Sequence, residues 1–476
     1  MTQKAIPRSA TKTSGRNGAG ATSPGAPSGK RSAWPWFAEE LEDLSSLAGE
    51  LRSGFPQAST FLRNWDRQCA ALLTSSPSST WWAESALDDL ATQLRKICLR
   101  VANLYSIRVY RSPPDHQMPR TSEEHPLDFG YERDIRPMEL EARIDASAIA
   151  TPGWNRAHLL FSSGQSALHA ILLAARRSVG TKTPCSLLHL GSYFETEDLV
   201  GLFAEAGLLE LPSMIAGNQP AIVIYEPVHC TPEGQDGAAT NRTALERICG
   251  VQGLRVLVCD TTLCRQRFDH ARLLALAGAV DPAPLVIMFR SGLKLDQGGL
   301  ELANVGIVSI FAKAGATAEA ADFAAELRRI RTLTGSGLHF EDINALAAPW
   351  FLGDKSHLYA DRIFANNGDL ARCFRGAGNI SLHHPSRQDK NAVAPFCLLQ
   401  RENANAEAYH RLEGEIDIAA KRRGILLQRG GSFGFRGHRY QAIIPSTGQP
   451  FIRLALGARQ DESSVRIREM LEEMHW

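Results

Sequence analysis

Lys294 stands just beyond the apolar run PLVIMFRS (284–291) and ahead of the double glycine Gly298-Gly299. A lysine beside a low-dielectric strand sheds its proton more readily, as an amine must before it can condense with a carbonyl. Other apolar, turn-bounded runs end in equally useful residues. LLFSS (159–163) leads into Ser162-Ser163-Gly164-Gln165-Ser166-Ala167, which opens a helical pattern. Free N–H groups and small residues at a helix N-terminus form a site suited to phosphate. CSLLHLGSY (185–193) ends at Tyr193, followed by Phe194, and such a ring can stack on a flat heterocycle. LRVLVCD (254–260) delivers Asp260, and a buried carboxylate is costly unless a cation or hydrogen bonds satisfy it. Singly, each has a plainer reading: a generic N-cap, a packed tyrosine, a capping aspartate, a lysine in a wet turn. Together they have one economical explanation. Pyridoxal 5′-phosphate needs a phosphate cup, a stacking ring, an acidic partner for its pyridinium nitrogen and a lysine amine.

The elements that must position these residues follow from periodicity. The runs above, with AIVIYEP (221–227), alternate with helical patterns such as SALHAILLAARRS and ETEDLVGLFAEAG. Alternating β and α predicts an α/β fold, with a mostly parallel, doubly wound sheet buried on both faces. In such sheets the ligand lies beyond the carboxyl ends of the strands. The chain divides into a disordered tail (1–33), a helical segment (34–112), the α/β domain (113–331) and a smaller C-terminal α+β domain (332–476). The tail is rich in Ser, Thr, Gly, Ala and Pro with only basic charges; a solvated tail is the better reading, a transit peptide the other. In the helical segment, Leu41, Leu44, Leu47 and Leu51 share one face, as do Leu87, Leu90, Leu94, Ile97, Val101 and Leu104. Trp34, Trp36, Trp81 and Trp82 read as core or interface packing.

Composition excludes several classes. Among 476 residues, 52 Lys+Arg balance 51 Asp+Glu, which gives a net charge of +1 and no basic stripe for nucleic acid. No apolar run approaches the roughly 18 residues of a membrane helix. The nine cysteines are odd in number and scattered, without zinc spacing, so the expectation is a reduced, cytoplasmic protein with no metal site.

Seven segments, in order over about residues 125–476, resemble the Cys/Met-metabolism family of fold-type-I PLP enzymes, the cystathionine synthases and lyases and their relatives. Tyr131-Glu132-Arg133 with MELEARI resembles the family's Y-S-R…LE segment, FSSGQSALHAIL its S-S-G-M-A-A cup, and VLVCDTTLC its V-V-D-N-T. RSGLKLDQGG resembles H-S-x-T-K-x-x-x-G, GGSFGF the S-L-G-G segment, and PFIRLALGARQDESSV the L-I-R-L-S-V-G-I-E-D signature. The tyrosine of the stacking position falls on Tyr193.

The resemblance implies a role for each matching residue. Lys294 would carry the cofactor as a Schiff base and act as base and acid, with Tyr193 stacking on the ring and assisting. Asp260 would hold the ring nitrogen, and Ser163, Gly164, Gln165 and Ser291 the phosphate. Tyr131 and Arg133 would reach the phosphate of a neighbouring subunit, so a homodimer or homotetramer with shared sites is expected. Arg453 would fork onto the substrate α-carboxylate, a task guanidinium suits better than ammonium, with Ser432 beside it. The implied activity is β- or γ-elimination, or γ-replacement, on an amino acid. Aminotransfer or another PLP reaction on the same fold is the second reading, because fold does not decide reaction. A non-catalytic interaction protein is the third.

The departures point to a divergent member. Leu293 stands where the family has threonine, no N-P-T follows Arg133, and Glu226-Pro227-Val228-His229-Cys230-Thr231-Pro232 replaces E-T-P-S-N-P. His229, Cys230 and Cys264 are either packed side chains or neighbours of the ring that alter its chemistry.

Overall fold

The computed structural model describes residues 34–75, 77–106, 110–114, 129, 131–147, 151–180, 185–211, 221–236, 241–251, 253–348, 350–376, 378–445 and 448–474. The expected tail, 1–33, lies outside them. Three helices come first: α1 (Pro35–Gly54), α2 (Ala58–Thr74) and α3 (Thr80–Ser106). Pro35 suits the first turn of α1, where its missing N–H costs nothing. The Ser79 hydroxyl accepts the Trp82 N–H at 3.2 Å and caps α3.

A helix α4 (Met138–Ser147) then leads to β1 (Trp154–Phe161) and α5 (Gly164–Val179). Next come β2 (Cys185–Leu190), α6 (Phe194–Glu205), β3 (Leu209–Glu210), β4 (Ile222–Tyr225), α7 (Pro232–Asp236) and α8 (Asn241–Cys249). They are followed by β5 (Val256–Asp260), α9 (His270–Gly278), β6 (Leu285–Ser291), α10 (Gly292–Leu295), β7 (Gly306–Lys313) and α11 (Thr317–Thr334). Beyond lie α12 (Phe340–Leu346), α13 (Asp354–Cys373), β8 (Ile380–His383), β9 (Cys397–Arg401), α14 (Ala406–Arg422), β10 (Leu427–Arg429), β11 (His438–Ile443), β12 (Phe451–Ala455) and α15 (Ser463–Glu473).

The large sheet runs β1-β7-β6-β5-β4-β2-β3. Its pairs β2·β3, β2·β4, β4·β5 and β5·β6 are parallel, so the doubly wound reading holds. β7 is a strand the sequence reading passed over, and it runs antiparallel to both β1 and β6. β4 is buried at every position and β5 and β6 nearly so, as expected of strands covered on both faces. One face packs Leu159, Phe161, Ile224, Val258 and Ile287 under α5 and α11; the other packs Val223, Leu257 and Met288 under α8 and α9. The smaller sheet runs β10-β11-β12-β9-β8, with α14 and α15 over it.

Two boundaries differ from the sequence reading. The run 185–193 leaves the sheet at Leu190, because the Ser192 and Tyr193 N–H groups turn to the Glu226 carboxylate, at 2.8 and 3.0 Å. Tyr193 is consequently the N-cap of α6 rather than a strand residue. β1 begins at Trp154, drawn into the sheet by its eight-residue register with β7.

The helical segment shares its core with the rest of the chain. Leu41, Leu44, Leu87, Leu90 and Leu94 pack in one cluster with Leu160, Leu300, Val305, Leu346 and Trp350. Charged contacts extend it to the C-terminal region: Arg436 bridges Glu40 and Asp43, each at 2.7 Å, and Arg459 pairs with Asp88. Of the four tryptophans, Trp34, Trp36 and Trp82 pack against this core, while Trp81 is half exposed. Among the described residues, no helix is long and apolar enough to cross a membrane.

Candidate active site

A cavity of about 390 Å³ opens at the carboxyl ends of β1, β5 and β6 and beneath β11 and β12. Ser163, Gly164, Gln165, Tyr193, Asp260, Ser291, Lys294, Ser432 and Arg453 all line it. Seven of these come from one large domain and two from the C-terminal region, so the topology gathers what the chain spreads over nearly 300 residues.

The cup is built on a helix start. Ser163 caps α5 by accepting the Ser166 N–H at 3.0 Å, and the Ser166 hydroxyl accepts the Ser163 N–H at 2.9 Å. Ser291 stands at the start of the short helix α10 next to it, and its N–H is held by the Thr262 hydroxyl at 3.0 Å. A Cβ on Gly164 would stand only 3.3 Å from that of Ser291, so glycine lets the two helix starts converge without crowding. Converging N–H groups favour an anion.

Lys294 projects from α10 and its Nζ donates to the Ser432 hydroxyl at 2.6 Å. Burial lowers its proton affinity below the ordinary lysine value. Ser432 is held at φ +70°, and Gly434 follows where any side chain would strike the Lys294 carbonyl. Beneath the lysine turn, Asp296 is fully buried between Arg265 and Arg290, at 2.8 and 3.2 Å. Arg265 in turn holds Ser356, with Nη2 to Oγ at 2.7 Å. The neighbouring Gln297 amide spans Gly292, Leu302 and Ala303. These contacts fix α10 against the body of the fold and aim Lys294 into the cavity.

Asp260 ends β5 and accepts the Thr262 N–H at 2.8 Å. Burial and the nearby Glu226 charge push its carboxyl up to about 7. No cation among the described residues forms an ion pair with it. Glu226 is itself buried; it faces His189 Nε2 at 3.1 Å and takes the Ser192 and Tyr193 N–H groups, so it sets the turn that presents Tyr193. Burial, then Glu195, raises the Tyr193 phenol well above its ordinary value and keeps it protonated.

Arg453 sits on β12 opposite Gln441 of β11, and donates to its Oε1 at 3.0 Å. No carboxylate among the described residues lies within ion-pair distance of its guanidinium. It faces the cavity as a cation able to take an anion.

Tyr131 and Arg133 do not line this cavity. They form a cation–ring pair at 5.4 Å on the surface, with Tyr131 57% exposed. Cys230 does line it, with its N–H on the Ser192 hydroxyl at 2.7 Å and its thiol raised by burial. His229 and Cys264 do not; Cys264 belongs to the core under β5. Leu293, in the family's threonine position, lines the cavity with no hydroxyl to offer. Glu226, Arg265, Arg290, Asp296 and Gln441 escaped the sequence reading. Glu226 at the end of AIVIYE, and Arg290 and Asp296 flanking Lys294, were its visible signals: charges where a buried strand stops.

No protein-family model matches the chain. No curated protein sequence matches it either. Solved structures do. A methionine gamma-lyase from Micromonospora echinospora superposes with TM-score 0.51 at 20% identity, covering 76% of this chain and 91% of that one. A cystathionine gamma-lyase from Lactobacillus plantarum, complexed with L-serine, gives TM-score 0.51 at 14% identity, covering 77% and 91%. The chain therefore has the fold-type-I architecture of PLP enzymes. Methionine and cystathionine gamma-lyases are among the structures that share this architecture, at low sequence identity.

Proposed function

We propose that the chain binds pyridoxal 5′-phosphate and catalyses β- or γ-elimination, or γ-replacement, on an amino acid. The observation that carries this reading is the gathering of Lys294, Asp260, Tyr193, the Ser163–Gln165 and Ser291 cup and Arg453 in one cavity. The residues fit the cofactor on their own chemistry. Asp260 is a buried carboxylate whose charge is penalised until a cation faces it, and a protonated ring nitrogen is such a cation. The glycine-bared junction of α5 and α10 leaves N–H groups open to a phosphate.

When bound, the cofactor supplies an electron sink for a carbanion at the substrate Cα. The protein supplies the rest. Arg453 fixes the α-carboxylate, and Gln441 fixes Arg453. Lys294 Nζ, its proton affinity lowered by burial and its amine oriented by Ser432, takes the proton from Cα and returns it to the departing group. Asp260 keeps the proton on the ring nitrogen. Tyr193 would stack on the ring, presented by the turn that Glu226 holds. Tyr131 and Arg133, exposed here, would complete the phosphate site of a neighbouring copy, and the working unit would then be at least a homodimer.

The test is a screen of amino acids by change in the visible spectrum of the cofactor-loaded protein, with products identified. Release of a 2-oxo acid with ammonia, or of a replaced side chain, is expected. Transfer of the amino group to an acceptor would overturn the reading in favour of an aminotransferase.

A further inference from the structure

A second cavity, of about 340 Å³, lies between α3, the turn after Lys294 and the chain around β11, and shares no lining residue with the first. Its charges are unevenly committed. Arg436 is taken by Glu40 and Asp43, and Asp88 by Arg459 and Gln428. Arg95 donates only to the Glu301 carbonyl oxygen, at 3.1 and 3.3 Å. The Arg439 guanidinium carbon lies over the Phe435 ring, 3.2 Å from its centre. Among the described residues, neither guanidinium is within ion-pair distance of a carboxylate. Two cations thus face one cavity with a single uncommitted carboxylate, Glu301, held at φ +44°.

This wall composition selects a ligand. Two guanidiniums reject a cation. The ring that would attract an apolar group is already covered by Arg439. Each guanidinium presents a planar fork of donors that matches a carboxylate or phosphate two bonds at a time, so two of them match a molecule with more than one negative charge.

We propose that this cavity is a second ligand site, which takes a small multivalent oxyanion, a phosphate or a polycarboxylate, between Arg95 and Arg439. Its walls give it a route to the chemistry. Glu301 lies seven residues beyond Lys294, and Arg439 seven beyond Ser432, the partner of the lysine amine. An occupant would join the two segments that hold Lys294 and tie both to α3. The site would act as an effector site rather than as part of the substrate pocket.

The experiment is calorimetric titration of the full chain with inorganic phosphate and, separately, with citrate. The first cavity is kept filled by pyridoxal 5′-phosphate, and its visible band confirms that. Saturable binding of one of the two anions per chain is expected, weakened tenfold or more in Arg439→Gln and in Arg95→Gln. Glu301→Gln, which removes the opposing charge, should tighten it. Phosphate alone binding would identify a phosphate site, and citrate a carboxylate site. Absence of saturable binding, or binding unchanged in Arg439→Gln, would overturn the proposal. Should Arg439→Gln fail to fold, failure of Glu301→Gln to tighten binding would do the same.

Discussion

At the scale of residues, the account rests on groups held in states that ordinary surface chemistry would not choose. Asp260 is buried beside another carboxylate and pushed up to about 7, with one backbone N–H in support. Arg453 faces a cavity with an amide as its partner in place of an acid. Both are costly alone, and both would be relieved by the charges of the proposed cofactor and substrate. Asp260→Asn should therefore lower kcat by about 10²- to 10³-fold, the usual loss when one preorganised electrostatic partner is removed. The melting temperature of the cofactor-free protein should not fall, because asparagine carries no charge to desolvate. A marked fall in stability with activity retained would assign Asp260 to the scaffold instead. Most of these residues were legible as residue types at the ends of apolar runs. Glu226 and Asp296 were visible only as charges where a buried strand stops; their roles were not, because those depend on what folds against them, Glu226 on the β2–α6 turn and Asp296 on Arg265, which arrives from a different strand end.

At the scale of elements, the alternating β and α pattern and the two leucine faces were readable because burial on a strand or a helix leaves a period in the sequence. β7 was missed. Ile307, Val308, Ile310 and Phe311 are buried on both faces around Ser309, with no alternation to mark the strand, and its antiparallel direction is a property of the sheet. The attachment of α3 is equally invisible to periodicity. Glu84, in its first turns, is buried and accepts from the Ser463 hydroxyl and from the Leu426 N–H at 3.2 Å. Asp461 Oδ1 faces His438 Nε2 at 3.3 Å, and the His438 Nδ1 accepts the Gly457 N–H at 3.0 Å. The other Asp461 oxygen is buried without a hydrogen-bond donor, a lack that a proton on Glu84 would fill. Burial first, and the Asp461 charge second, push Glu84 from 4.5 up to about 7. A carboxyl whose folded value is raised stabilises fully below its unfolded value and loses that contribution as pH climbs through the folded one. The α3 contact should hence weaken between about pH 4.5 and 7, by on the order of 1–3 kcal/mol. Glu84→Gln keeps a donor for Asp461 at every pH. Melting temperatures of the two proteins should diverge in favour of the variant from pH 5 to pH 8; a constant difference would contradict the shared proton.

At the scale of the whole molecule, the near-neutral charge of +1 fits an enzyme that handles small zwitterions with local residues and no long-range field. The α/β body positions Lys294 and Asp260, the C-terminal sheet brings Arg453 over them, and α1 and α3 bridge the two, through a shared apolar core on one side and Arg436 and Arg459 on the other. Tyr131 and Arg133 face outward from this unit, and the proposed function gives them the phosphate site of a second copy. Chains carrying Lys294→Ala and chains carrying Arg133→Ala should each be inactive, and should recover activity when mixed as hetero-oligomers. Full activity of a monomer, or no recovery on mixing, would remove the shared site.

The central claim is that Lys294 is the amine that holds the cofactor. The most direct measurement is to load the protein with pyridoxal 5′-phosphate, reduce it with borohydride, digest it and map the labelled peptide by mass. The label is predicted on Lys294 alone and absent from Lys294→Ala. A protein that takes up no label, or carries it on another lysine such as Lys355, would contradict the account.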